Sequence, residues 1–151
     1  MARKWIKSAF VLYVVGFALF IAYDLSVRMP HAASVESSLG AEWASLGHPM
    51  GSTETGHHRS HKGGHALIDA TFRTSRSPAE VLEFYDREVL AHGWSSQGMT
   101  TVRDWGRDLG GVIRCYRKGD YAAHIQLAGD RAAYGWDYAL SLSWPARSDC
   151  E

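Results

Sequence analysis

After Ser8 the chain runs AFVLYVVGFALFIAY without a charge until Asp24. A run that is apolar on every side does not suit a surface helix of a soluble domain, which keeps one polar face. In hydrocarbon, each backbone N–H and C=O must find its partner within a helix or a closed barrel, so the run is predicted to be helical. Counted from Trp5 through Val27 it can cross a bilayer, which takes roughly 20 residues. Trp5 and Tyr23 stand near its ends, where aromatic belts form. Arg3, Lys4 and Lys7 precede it with no acid, and only Arg28 follows closely. The positive-inside rule then predicts a cytoplasmic N-terminus, with everything beyond residue 28 outside the inner or plasma membrane, in the periplasm. A cleaved signal peptide fits less well. Its apolar region is usually about 7–15 residues, and here Asp24 and Arg28 intervene before His31-Ala32-Ala33, which lacks small residues at both key positions.

Residues 1–28 are therefore expected to be a cytoplasmic tip and a single-pass anchor. Residues 29–64 are rich in Ser, Gly and His and read as a tether. Within it Val35, Leu39, Trp43 and Leu46 share one helical stripe, which predicts a short helix over 35–46. Gly40 weakens that helix, and Gly47 with Pro49 would end it.

Residues 65–147 carry the signals of a folded domain, followed by a tail at 148–151. From His65 to Thr74, Ile68, Ala70 and Phe72 alternate with Asp69, Thr71 and Arg73, the pattern of a half-buried strand. SPAEVLEFYDREVLAHGW, from Ser77 to Trp94, is an amphipathic helix with its boundaries written in. Ser77 is the N-cap, Pro78 suits the first position and Glu80 completes a capping box. Val81, Leu82, Tyr85 and Val89 form the apolar stripe, and Gly93 ends the helix. Ser95 to Gly111 holds Met99, Val102 and Trp105 among Gly, Arg and Asp, and reads as a short strand and a long loop. Gly119-Asp120 marks a hairpin between Val112–Lys118 and Tyr121–Ala128. In the last segment Tyr134, Trp136, Tyr138, Leu140, Leu142 and Trp144 alternate with smaller residues until Pro145. The prediction is an α+β fold: one transmembrane helix plus a two-layer domain, with one helix on a mainly antiparallel sheet of 4–5 strands.

That order, a strand, SPAEVLEFYDREVLAHGW, a hairpin around YRKGDYAAHI and an aromatic last strand, resembles many small bacterial envelope domains. Those are membrane-anchored or lipoprotein-like and mostly of unknown function. The resemblance covers residues 65–145. It implies an extracytoplasmic module, and it implies neither an activity nor functional residues.

Candidate chemistry is sparse. His57, His58, His61 and His65, within HHRSHKGGH, supply imidazoles suited to Zn²⁺, Cu²⁺ or Ni²⁺. Their spacing matches no closed structural site, and Arg59 and Lys62 add positive charge, so a solvated His-rich linker is the simpler account. Cys115 and Cys150 would face an oxidising compartment and form a disulfide, unless Cys115 is a small core residue and Cys150 a frayed end. No nucleophile elbow, P-loop or H-E-x-x-H is present. Asp104 and Asp108 as paired carboxylates, or His92 and His124 as bases, are outweighed by solvated ion pairs in a loop of Gly and Arg. Lys plus Arg and Asp plus Glu each number 16, so no single-sign field points to nucleic acid or to an anionic surface. No cofactor and no enzymatic activity are expected. The expected function is an accessory or interaction subunit that meets the membrane and other membrane proteins. The alternative is an extracytoplasmic binding module for a small molecule or a metal.

Overall fold

The computed structural model describes residues 2–62, 64–104, 106–146 and 150, and the side chains of these apart from residues 2–9, 104 and 131. The expectations placed on the side chains of Arg3, Lys4, Trp5 and Lys7, on Trp105 and on most of the 148–151 tail lie outside the described residues.

Pro30 should interrupt a helix, because it lacks an N–H and its ring clashes with the carbonyl four residues back. The chain solves this with a wider turn. Helix α1 (Ala2–Tyr23) passes into a π-turn (Asp24–Arg28) and then directly into α2 (Met29–Ser45), so the helical path continues without a loop. Met29 N–H donates to Asp24 C=O, five residues back, just before the proline. The expected helix over 35–46 is therefore real but starts at Met29. Its stripe is Ala32, Val35 and Leu39, all buried, with Trp43 half-buried and Leu46 closing over the core just past the helix end.

The rest of the expected tether is also ordered. β1 (Thr53–Lys62) pairs antiparallel with β2 (His65–Arg73). α3 (Pro78–Ala91) follows, then β3 (Ser95–Asp104), β4 (Arg107–Lys118), β5 (Tyr121–Leu127), a 3₁₀ turn (Gly129–Tyr134) and β6 (Tyr138–Trp144). The sheet order is β1-β2-β6-β5-β4-β3, and every neighbouring pair is antiparallel. The α+β class is as expected, but the sheet has six strands rather than 4–5, and two helices rather than one cover its face. The 95–111 segment forms two paired strands instead of a long loop, with register shifts at Ser96/Gly98 and Thr101/Arg103 that break the alternation.

α3 has both halves of its capping box: Glu80 N–H donates to Ser77 Oγ, and Ser77 N–H donates to Glu80 Oε2 at 2.8 Å. These bonds from Ser77 hold the Glu80 carboxyl below its ordinary value. Gly93 ends the helix at φ 82°. One core joins the layers. Val35 and Leu39 of α2 and Val81, Tyr85 and Val89 of α3 lie over Ile68, Phe72, Ile125, Tyr138, Leu140 and Leu142. Trp136 sits half-buried in the turn before β6 rather than in the strand, and Tyr134 is exposed.

Candidate functional site

The apolar stretch of the N-terminal helix shows no buried residue from Phe10 to Val27, with Phe10, Leu12, Phe17, Leu19 and Leu25 all largely exposed. It is the one helix among the described residues that is long and apolar enough to cross a membrane. Among the described residues no other element leaves so much large apolar surface exposed, where each buried Å² would be worth about 25 cal/mol.

α2 couples this helix to the domain through three kinds of contact. Its buried stripe rests on β2. Its outer flank carries Glu36, which meets His61 Nδ1 at 2.7 Å and Arg59 Nε at 3.3 Å on β1. Near its end Glu42 receives Lys118 Nζ from the β4–β5 hairpin at 2.8 Å to both carboxylate oxygens. The segment after α2 then runs along α3. Gly47 N–H donates to Glu88 Oε1, and His48 Nδ1 lies 2.9 Å from Tyr85 Oη, whose O–H donates to Tyr138 Oη. Burial pulls the His48 imidazole below its ordinary value, opposed by the charges of Glu54 and Glu88, and pushes both tyrosines up. On the other flank of α3, Asp86 takes Arg114 through two bonds and the Tyr116 O–H at 2.6 Å. Burial, with that bond to Asp86, pushes Tyr116 up.

The four histidines of HHRSHKGGH fall on strands, not on a linker. Successive strand side chains alternate faces. His57 and His61 therefore face α2, against Trp43 and Glu36, while His58 and His65 belong to the opposite face. Among the described residues no group of three or more His, Cys, Asp or Glu gathers as a metal site. The register instead places His58, Asp69, Ser141 and His124 side by side across four strands of the open face, a row that the sequence alone does not show.

Cys115 and Cys150 form a disulfide, with Cα atoms 6.2 Å apart, so Cys150 lies on the outer side of β4. Asp108 Oδ1 accepts from Gly110 N–H within the first residues of β4, and Asp104 pairs with Arg107 in the register rather than with Asp108; the Asp104 side chain lies outside the described residues. His92 Nδ1 sits 2.8 Å from Glu88 C=O at the end of α3, whereas His124 belongs to the open face, so the structure does not bring these two together.

Two open clefts flank the first half of α3. One, of about 300 Å³, is lined by Pro49, Met50, Arg76, Glu80, Phe84 and Arg87; the other, of about 190 Å³, has Thr74, Val81, Leu127 and Asp137 in its walls. Their charges already serve one another: Arg76 pairs with Glu80, Arg87 with Glu83 and Arg73 with Asp137. Neither a family model, nor a curated protein, nor a solved structure matches this chain.

Proposed function

We propose that the chain is a single-pass membrane protein whose small, non-catalytic extracytoplasmic domain serves as an accessory or interaction subunit of a membrane protein complex. The observation that carries this is the unbroken passage from an exposed apolar helix into α2, whose inner face is part of the domain core. A cleaved leader would sit badly here. Processing near Ala33 would cut through a helix whose Ala32 is fully buried. Orientation rests on two independent features. Arg3, Lys4 and Lys7 favour a cytoplasmic N-terminus. The Cys115–Cys150 disulfide favours an oxidising side for the domain.

The coupling alters the expected mode of action. A flexible tether would let the domain search for a partner well away from the bilayer. Here α2 holds it beside the membrane, so its partner surface stays at a fixed height. A complex that presents a complementary face close to the bilayer suits such a domain. In the clefts, charges neutralise one another in pairs rather than converging on a ligand, which favours the interaction reading over a small-molecule site. The metal alternative would need His57, His58, His61 and His65 to converge, and the pleat sends them to two faces.

Protease added to intact spheroplasts should remove the domain; a protected domain would overturn the topology. Affinity purification in mild detergent with mass spectrometry tests the partner claim. Recovery of the chain alone, with a free domain that binds a small molecule or metal tightly, would replace it.

A further inference from the structure

Arg28 follows directly on Val27, the last residue of the apolar run, and that first turn is where the domain touches the helix. The Arg28 guanidinium lies against Gly64 in the β1–β2 turn, where an added Cβ would come within 3.0 Å of Nη2. One turn further, the His31 ring meets the Trp144 indole edge-on at 4.9 Å. A helix rises about 1.5 Å per residue, so His31 stands at most about 6 Å beyond Val27. The headgroup layer outside a hydrocarbon core of about 30 Å is itself roughly 5–7 Å deep. On the membrane reading above, on which this inference rests, the β1–β2 turn and the end of β6 lie within that layer.

The residues that the register gathers there suit it. Lys62 pairs with His65 at the turn, and Ala66, next along β2, pairs with Trp144. Lys62 and His65 are both exposed, and no acid occurs between His61 and Ile68. Trp144 is half-buried, packed against the core and in perpendicular contact with the His31 ring. Lys62 and His65 share the open face and Trp144 the covered face of this one end of the sheet, and an amphipathic indole with cations at the same level is the side-chain set that favours the interface. The acids nearby are engaged: Asp24 pairs with Arg28 and Glu36 with His61. We infer that this end of the domain is a lipid seat, in which Lys62 meets the phosphates of anionic phospholipids while Trp144 enters the headgroup layer. The seat would fix the angle between domain and bilayer, a constraint that the helix alone does not supply because it is free to spin about its own axis.

The test uses the full chain in vesicles of phosphatidylcholine, alone or with roughly a quarter phosphatidylglycerol, containing lipid brominated near the glycerol end of its chains. The emission lost in Trp144→Phe isolates that indole; Trp5→Phe and Trp43→Phe do the same for the span and for the far end of α2. Trp144 emission should be quenched several-fold more than Trp43 emission. Lys62→Glu, at an exposed position that does not threaten folding, should weaken that quenching in vesicles with phosphatidylglycerol and leave it unchanged in phosphatidylcholine alone. If Trp5 is quenched but Trp144 no more than Trp43, the anchor stands and the seat is wrong. If Lys62→Glu acts equally in both vesicles, or not at all, anionic-headgroup recognition is wrong. Unquenched Trp5 would overturn the membrane reading itself.

Discussion

Leu39→Ala is the substitution that best separates a docked α2 from a tether. Leu39 is fully buried, one turn beyond Val35 on the stripe that meets the sheet. Cutting its side chain to a methyl removes apolar burial worth roughly 2 kcal/mol and leaves a cavity, and Leu→Ala in cores costs about 2–5 kcal/mol in all. α2 lies over the β1–β2 side of the sheet, where β1 is an edge strand and the neighbours have room to relax. The expected loss is therefore in the lower half of that range, about 2–3 kcal/mol, or a fall in Tm of about 10 °C for a domain of this size. Ser37→Ala, on the exposed side of the same helix, should stay within about 0.5 kcal/mol of the parent. Urea unfolding of the full chain in mild detergent, followed by tryptophan fluorescence, reads the domain without melting the apolar helix. If Leu39→Ala matched Ser37→Ala, α2 would be a detachable strap and the rigid coupling would fail.

Leu140→Ala, under α3 at the centre of the sheet, should cost about 2–5 kcal/mol in the same assay, and a change near zero would mean that the packed face is misassigned. Cys150→Ser should cost about 4 kcal/mol, the chain-entropy value for a sequence separation of 35, and dithiothreitol should reproduce the loss in the parent but add nothing in the variant. His48 is held below its ordinary pKa by burial, so the unfolded chain takes up the proton first. Its contribution is present above the unfolded pKa, about 6.5, and is lost as pH falls below that value. Unfolding midpoints at pH 7.5 and 5.5 should thus differ less in His48→Gln than in the parent; an equal fall would place the titration elsewhere.

Much of the fold is legible where local and tertiary signals agree. Ser77, Glu80 and Gly93 bound α3 as expected because the capping groups act within a single turn. The alternation in β2 and in Tyr138–Trp144 is plain because those central strands carry apolar residues on the face that the helices cover. β1 is hidden for the opposite reason. It is an edge strand of Glu, His, Arg and Lys whose inner face meets α2 through Glu36 and Trp43 rather than through aliphatic packing. Pro30 misleads because a π-turn upstream absorbs it, a device without a compositional signature. Cysteine count allows the disulfide, but only the sheet register brings Cys115 to the face where residue 150 returns. The contact of Arg28 and His31 with the β1–β2 turn and Trp144 joins residues far apart in the chain, so no local pattern announces it.

The strand order has a consequence for biosynthesis. β2 pairs on its inner edge with β6, the last strand, so Ala66 waits for Trp144 and Phe72 for Tyr138. As the chain is made, the β1–β2 hairpin and α2 emerge early but have no central strand to close against. The meander from β3 to β6 grows from the far edge and returns to them at the end. Closure therefore falls to the final strand, and the non-local pairing makes it a slow step compared with forming any of the hairpins. On the proposed topology, a domain that cannot close before its last segment arrives would stay extended enough to pass through a translocation pore and would become a folded unit only on the far side.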